Sequence, residues 1–339
     1  MSVTLLENKK RIHQLSQILY NFEPIAVKQY LVELFATDSK VQLCFPFEDL
    51  KGAEGLFEEA LMPLYQSIPD LERRDHIIMS GTTDAGNDWV GCCGYYCGTF
   101  DKDWLDIPAT GHMVSMRFHE FYKFENGKVT EFQAIWDIPE LMMQANAWPL
   151  VPSLGREWHV PGPASLDGIQ LTQSTQSSKA LSSKAQQIVI DMCDALGNYA
   201  TGGVEAMRLN DYWHPRCSWY GPSGIGTART MTGFRNWHQI PFLNGLPDRV
   251  GDPHAGHAFA DNNYVGFTAW PGMYMTVSGS GWLGIAPGDQ KITMRSLDFW
   301  RVEGDLIREN WVLIDMLSVY DQLGVDVLGR MKEFNKARR

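Results

Sequence analysis

The chain is short of positive charge. Its 29 Lys and Arg stand against 40 Asp and Glu, a formal net charge of −11 over 339 residues. Nucleic-acid and anionic-membrane surfaces need basic patches, so the balance argues against both. Long apolar runs are missing as well; none reaches the ~18–20 residues that would span a bilayer. The first residues, MSVTLLENKKRIHQL, have no apolar stretch leading into small residues, so they do not read as a secretory signal. Six cysteines in a chain of this length make no disulfide framework, and reduced thiols in a cytoplasmic protein are expected. Cys92, Cys93 and Cys97 lack a zinc spacing, and there is no phosphate loop, dinucleotide fingerprint, GxSxG elbow or HExxH. No metal or organic cofactor is expected.

What the chain does have is a repeat. Ile292–Gly324 reads as two strands around Glu303-Gly304-Asp305, ending at Asp315 with a helix after it. Subtracting 178 recovers the pattern at Met113–Asn146: Arg295 falls on Arg117, Phe299 on Phe121, Glu309 on Glu131 and Asp315 on Asp137. The same offset carries Pro247-Asp248 onto Pro69-Asp70 and Gly233 onto Gly55. So long a period means duplicated domains rather than a solenoid. The boundaries that follow are 1–150 for the first copy, 151–183 for a Pro/Gly/Ser-rich linker, and 184–339 for the second copy.

Apolar spacing predicts helices over Leu5–Phe22, from Pro24, and over Gly52–Tyr65. Strands are predicted at Val41–Phe45, Arg74–Ser80, Asp88–Thr99, Met113–Glu125 and Val129–Asp137. In the second copy the helices are Ala185–Tyr199, Val204–Trp213 and Thr230–Phe242. Its strands are His257–Trp270, Met273–Trp282, Ile292–Val302 and Leu306–Asp315, and a last helix runs from about Asp326 to Lys336. Each copy is thus an α+β domain, with helices on one side of an antiparallel sheet.

This order resembles the nuclear-transport-factor-2-like fold, a cone of curved sheet closed by helices. Within it the second copy resembles the SnoaL-like polyketide cyclases, also called ester cyclases. The resemblance lies in Leu246-Pro247-Asp248, Gly284-Ile285-Ala286-Pro287, the Arg301–Ile307 hairpin, Trp311, Asp315 and Gln322-Leu323-Gly324. The first copy keeps Ile68-Pro69-Asp70, Ile107-Pro108-Ala109-Thr110-Gly111, Asn126-Gly127 and Asp137. The resemblance implies cofactor-independent acid–base chemistry on a small oxygenated or polyketide-like ligand, by aldol cyclisation or isomerisation. Hydrolysis or dehydration, and a non-catalytic binding or assembly role, stay open beside it, because one fold hosts many activities. The substrate is not legible.

A turn centred on Asn126-Gly127 opposes Glu120 to Gln133 and Met116 to Asp137; in the second copy Asp298 opposes Trp311, and Met294 opposes Asp315. That register puts Glu120 and Asp137 on one sheet face, and likewise Asp298 and Asp315. Asp315 and Asp137 lie in apolar runs, where desolvation raises a carboxyl pKa toward the range of general acid–base work. The resemblance implies that an aspartate in this region takes a proton from carbon, which makes Asp315 the first candidate. The alternative is that it caps the following helix. The second copy also holds His214, His238, His254 and His257 among many aromatic residues. Catalytic candidates are therefore Asp315, His238, Asp298 and Asp137; ligand-binding candidates are Trp219, Tyr220, Trp282, Trp300, Trp311 and His214. His214 otherwise reads as a turn residue before Pro215. Arg117 and Arg295 are expected opposite the acids, paired with Glu131 and Glu309 or binding a substrate carboxylate. The two copies are expected to pair through their sheets as an intramolecular pseudo-dimer, with a homodimer of chains left open.

Overall fold

The computed structural model describes residues 3–172, 175–252 and 256–337. The chain divides into two compact units. Unit 1 is Met1–Leu150, Ala164–Gln173 and Asp315–Arg339; unit 2 is Val151–Pro163 and Ser174–Ile314. By contact, then, the C-terminal residues group with unit 1, although the repeat carries them in its second copy. The linker is shared between the units, and the helix expected from Ala185 already starts at Gln176, where Thr175 caps it by accepting from the Ser178 amide.

In unit 1 the strands are β1 (Phe35–Leu43), β2 (Glu48–Leu50), β3 (Glu72–Thr82), β4 (Asp88–Thr99), β5 (Met113–Glu125) and β6 (Lys128–Trp136), ordered β2-β1-β6-β5-β4-β3. Unit 2 has β7 (Trp213–Tyr220), β8 (Thr227–Arg229), β9 (Val250–Gly251), β10 (Gly256–Asp261), β11 (Tyr264–Thr276), β12 (Lys291–Glu303) and β13 (Leu306–Ile314). Its order is β10-β11-β12-β13-β7-β8, with β9 beside β11. The two orders match strand for strand, so both units are α+β cones of one topology.

The sheets are mixed rather than antiparallel throughout, because β1 joins β6 and β7 joins β13 in parallel. A second departure lies in unit 2. The expected strands His257–Trp270 and Met273–Trp282 are really β10 and β11, folded at Asn262-Asn263. Asn262 takes a left-handed φ of 54°, which asparagine tolerates in tight turns.

Helices cover one side of each sheet. In unit 1 Val3–Tyr20 lies along β3 and β4, and in unit 2 Gln176–Leu196 lies along β10 and β11. The third helix of each copy carries a π turn at the same repeat position, Leu56–Leu61 and Arg235–Gln239, followed by Pro63 and Pro241. Such turns rotate side chains off the regular helical stripe and recur at functional sites. None of the six cysteines forms a disulfide among the described residues. Among the described residues no helix is long and apolar enough to cross a membrane, and no cluster of His, Cys, Asp or Glu could hold a metal.

Candidate active site

The hairpin register differs from the expected one by a residue. Bulges between Lys123 and Phe124, and between Arg301 and Val302, set Phe118 opposite Trp136 and Phe299 opposite Trp311. Asp298 therefore faces Val312, and Glu120 faces Ala134. An extra residue on one strand turns the remaining side chains to the other face. The acids consequently do not share a face as expected. Asp137 instead meets Arg117, 3.3 Å away, in a buried ion pair. The expected partners of Arg117 and Arg295 are engaged elsewhere: Glu131 lies 4.0 Å from Lys40, and Glu309 takes Arg301 at 2.6 Å. Arg295 stacks its guanidinium 4.6 Å from the Trp270 ring centre.

Asp315 is buried at the head of the Met316–Gln322 helix. Its Oδ1 accepts from the Ser318 amide at 3.1 Å and its Oδ2 from the Phe45 amide at 3.0 Å. This geometry fits the capping reading, with both oxygens committed to N–H donors. Asparagine offers only one oxygen and would turn an NH₂ toward one of those donors. Asp315→Asn should therefore cost about 1–3 kcal/mol in chemical denaturation; an unchanged midpoint would show that the two hydrogen bonds do not matter.

Asp298 sits in a different setting. It is buried on β12, and Ser296 Oγ donates to its Oδ2 at 2.9 Å, while Oδ1 has no partner among the described residues. Burial pushes its carboxyl up to about 7, against a small downward pull from Ser296. Cross-strand pairing puts Ser296 opposite Ile314, Trp300 opposite Asn310, and Asn310 opposite Trp219, all on the Asp298 face. That face turns toward the helices. Trp219 stacks on His238, with centroids 4.0 Å apart and planes at 12°. Cys193, on the Gln176–Leu196 helix, lies within electrostatic reach of Asp298.

His238 stands in the π turn, and its ring lies within 5.4 Å of Phe234 and 5.3 Å of Phe242. Phe242 in turn meets Trp282 edge-on at 5.7 Å. The residue keeps some exposed surface, but its Nδ1 is enclosed and unpartnered, and burial with the nearby Arg249 lowers its pKa to about 3. It is thus a neutral imidazole at working pH. Trp300 Nε1 is another enclosed polar atom without a partner. Buried polar groups are nearly always hydrogen-bonded, so the unpartnered atoms of Asp298, Trp300 and His238 stand out in unit 2.

The other candidates separate from this group. Tyr220 and Trp311 lie opposite each other on the reverse face, where Tyr220 donates to Glu309 at 3.0 Å and Trp311 Nε1 to the Pro161 carbonyl at 3.0 Å. His214 lies within β7 rather than in a turn; its Nδ1 accepts from the Arg216 amide at 3.0 Å and lies 3.3 Å from Arg308. Burial and Arg308 lower its pKa. His254 lies outside the described residues.

Unit 1 treats the matching position in another way. Glu120 accepts from Arg73 and Tyr122 at 2.5 Å, and from Tyr96 and Trp136 at 3.1 Å. Arg73 also grips Asp75 through two bonds of 3.1 Å. Burial works against the guanidinium charge, yet Asp75 and Glu120 outweigh it and hold its pKa well above the usual value. Arg73 and Asp75 form part of the floor of a cleft of about 290 Å³ beside the Val3–Tyr20 helix. Sequence reading missed Arg73. The available signal was Arg73-Arg74-Asp75, polar residues alternating within a strand next to the helix-covered sheet.

These features define an α+β cone with an acid inside it. Residues 27–145 match the family model described as SnoaL-like polyketide cyclase. That match lies within the first copy. Among solved structures it is similar to AclR of Streptomyces galilaeus (16% identity, 44% of this chain and 86% of that one, TM-score 0.36). It is similar also to IdmH of Streptomyces antibioticus (18%, 41% and 98%, 0.35) and to a SnoaL-like polyketide cyclase of Agrobacterium tumefaciens (20%, 40% and 96%, 0.32). No curated protein matches the chain.

Proposed function

We propose that unit 2 is a cofactor-independent acid–base enzyme whose base is Asp298, acting on a carbon acid beside a carbonyl. The observation that carries this reading is the carboxyl itself: enclosed, with one oxygen unpartnered, and titrating at about 7. A base is most effective when its pKa lies near the working pH. In its ionised form Asp298 removes a proton from the α-carbon. The electron pair moves onto the carbonyl oxygen as an enolate, and Trp300 Nε1–H, which has no other partner among the described residues, donates to it. Trp300 lies two residues along the same strand on the same face, roughly 7 Å away at the Cα. The enolate carbon then adds to a second carbonyl of the ligand or is reprotonated elsewhere, and the proton on Asp298 goes to the new alkoxide or carbon. Trp219 and His238 supply flat walls for an unsaturated ligand. Asp298 takes precedence over Asp315 and Asp137, whose oxygens are held by amides and by Arg117 respectively.

The test is isotope exchange. In deuterium oxide the protein should exchange the α-hydrogens of an aromatic β-dicarbonyl probe at a rate that rises with pH through about 7. Asp298→Asn should slow this by about 10²–10⁴-fold. Undiminished exchange in that variant, or no exchange above buffer in the wild type, would sink the assignment.

A further inference from the structure

Arg249 lies between the Ile240–Gly245 helix and β9. Its guanidinium carbon is 5.1 Å from the Tyr199 ring centre and 5.6 Å from that of Phe242. Among the described residues no carboxylate pairs with it. The adjacent Asp248 is engaged at 2.8 Å by the Thr276 amide. Burial lowers the pKa of Arg249, and only Tyr199 acts against that. Arg249 is half-buried; the buried arginines Arg73, Arg117 and Arg301 each hold a carboxylate within 3.3 Å.

Aromatic rings offset the charge of a guanidinium without using its N–H donors. Arg249 therefore keeps its five donors for something else, beside the wall that leads inward. Phe242 touches both Arg249 and His238, and His238 stacks on Trp219, whose sheet face carries Asp298. Arg249 acts on His238, while the shift of Asp298 comes from burial. The cation and the base thus stand at separate points along one aromatic wall.

We propose that Arg249 binds a carboxylate on the ligand that Asp298 deprotonates, so that the substrate class is an aromatic or polyunsaturated keto acid. This rests on the reading of unit 2 given above. A single guanidinium matches a singly charged carboxylate, which it receives through two parallel hydrogen bonds. The neutral His238 beside it adds a polar contact without adding charge.

The experiment is calorimetric titration of the full chain with 1-naphthoate and with the uncharged 1-naphthalenemethanol. The wild type should prefer the carboxylate by tenfold or more. Arg249→Gln should abolish that preference and leave alcohol binding as it was, which also reports that the variant is folded. Asp298→Asn should retain the preference, so failure of the base assignment and failure of the carboxylate assignment give different results. Equal affinities in the wild type, no binding of naphthoate, or a preference that survives Arg249→Gln would overturn the proposal.

Discussion

Asp298→Asn should make the protein more stable at pH 8 while removing its exchange activity. The folded carboxyl titrates at about 7 and an unfolded aspartate at about 3.9. A carboxyl raised in this way contributes its full stability below the unfolded value, where both states hold the proton. Between the two values the unfolded chain gives up its proton and the folded chain keeps it, so stability falls as pH rises toward 7. About three pKa units correspond to roughly 4 kcal/mol lost by pH 8. Asparagine keeps the shape, and its amide oxygen can still accept from Ser296, but it has no charge to desolvate. Urea denaturation at pH 4.5 and at pH 8 separates the outcomes. The wild type should lose stability between them, and the variant should lose less and exceed the wild type at pH 8. A variant weakened equally at both values would mean that the carboxylate is stabilised by a partner. A substitution that strengthens the fold and stops the chemistry assigns the side chain to function, since a buried unpaired acid is otherwise a standing cost.

Much of this fold was legible in the sequence, for identifiable reasons. Asp88–Thr99 and Met113–Glu125 were placed with their observed ends because long strands bounded by Gly, Asn and Asp turns announce both ends. The 178-residue offset also gave the helix order, since each copy confirms the other. What escaped depends on contacts remote in sequence. The parallel joins of β1 to β6 and β7 to β13 leave no local pattern. The two bulges are single extra residues, invisible to alternation, yet each reverses which side chains meet. Asp298 was named as a candidate, but its distinction from Asp315 lies in partners: one serine hydroxyl for the first and two amides for the second. Arg249 has no charged counterpart in the other copy, where Leu71 holds its place, so the repeat gave it no emphasis.

Arg73→Met should produce the largest loss of stability. Arg73 lies wholly inside unit 1, bonded to Asp75, Glu120, the Tyr96 hydroxyl and Cys92 Sγ, with the Phe118 ring centre 4.1 Å from its guanidinium. Methionine fills much of the space but leaves two enclosed carboxylates without a cation. Breaking a buried ion pair in this way costs about 3–5 kcal/mol, more than the pair itself contributes over a neutral core. For a unit of this size that is a fall in melting temperature of roughly 6–20 °C. Combining Arg73→Met with Glu120→Gln should recover part of the loss, because one buried charge is removed. The two copies supply the reason to expect a second effect. The repeat offset sets Gly251 in place of Arg73, and strand pairing sets Val250 there, since Arg73 faces Tyr96 and Val250 faces Tyr274. Neither is charged, and the acid of that copy, Asp298, titrates near neutrality. Removing the arginine from unit 1 leaves the buried Glu120 with the neutral donors Tyr96, Tyr122 and Trp136 and no cation to offset its charge. Arg73→Met should accordingly be weaker at pH 8 than at pH 5 by more than the wild type is. A denaturation midpoint within about 0.5 kcal/mol of the wild type at both pH values would show that the arginine does not offset the charge of these acids.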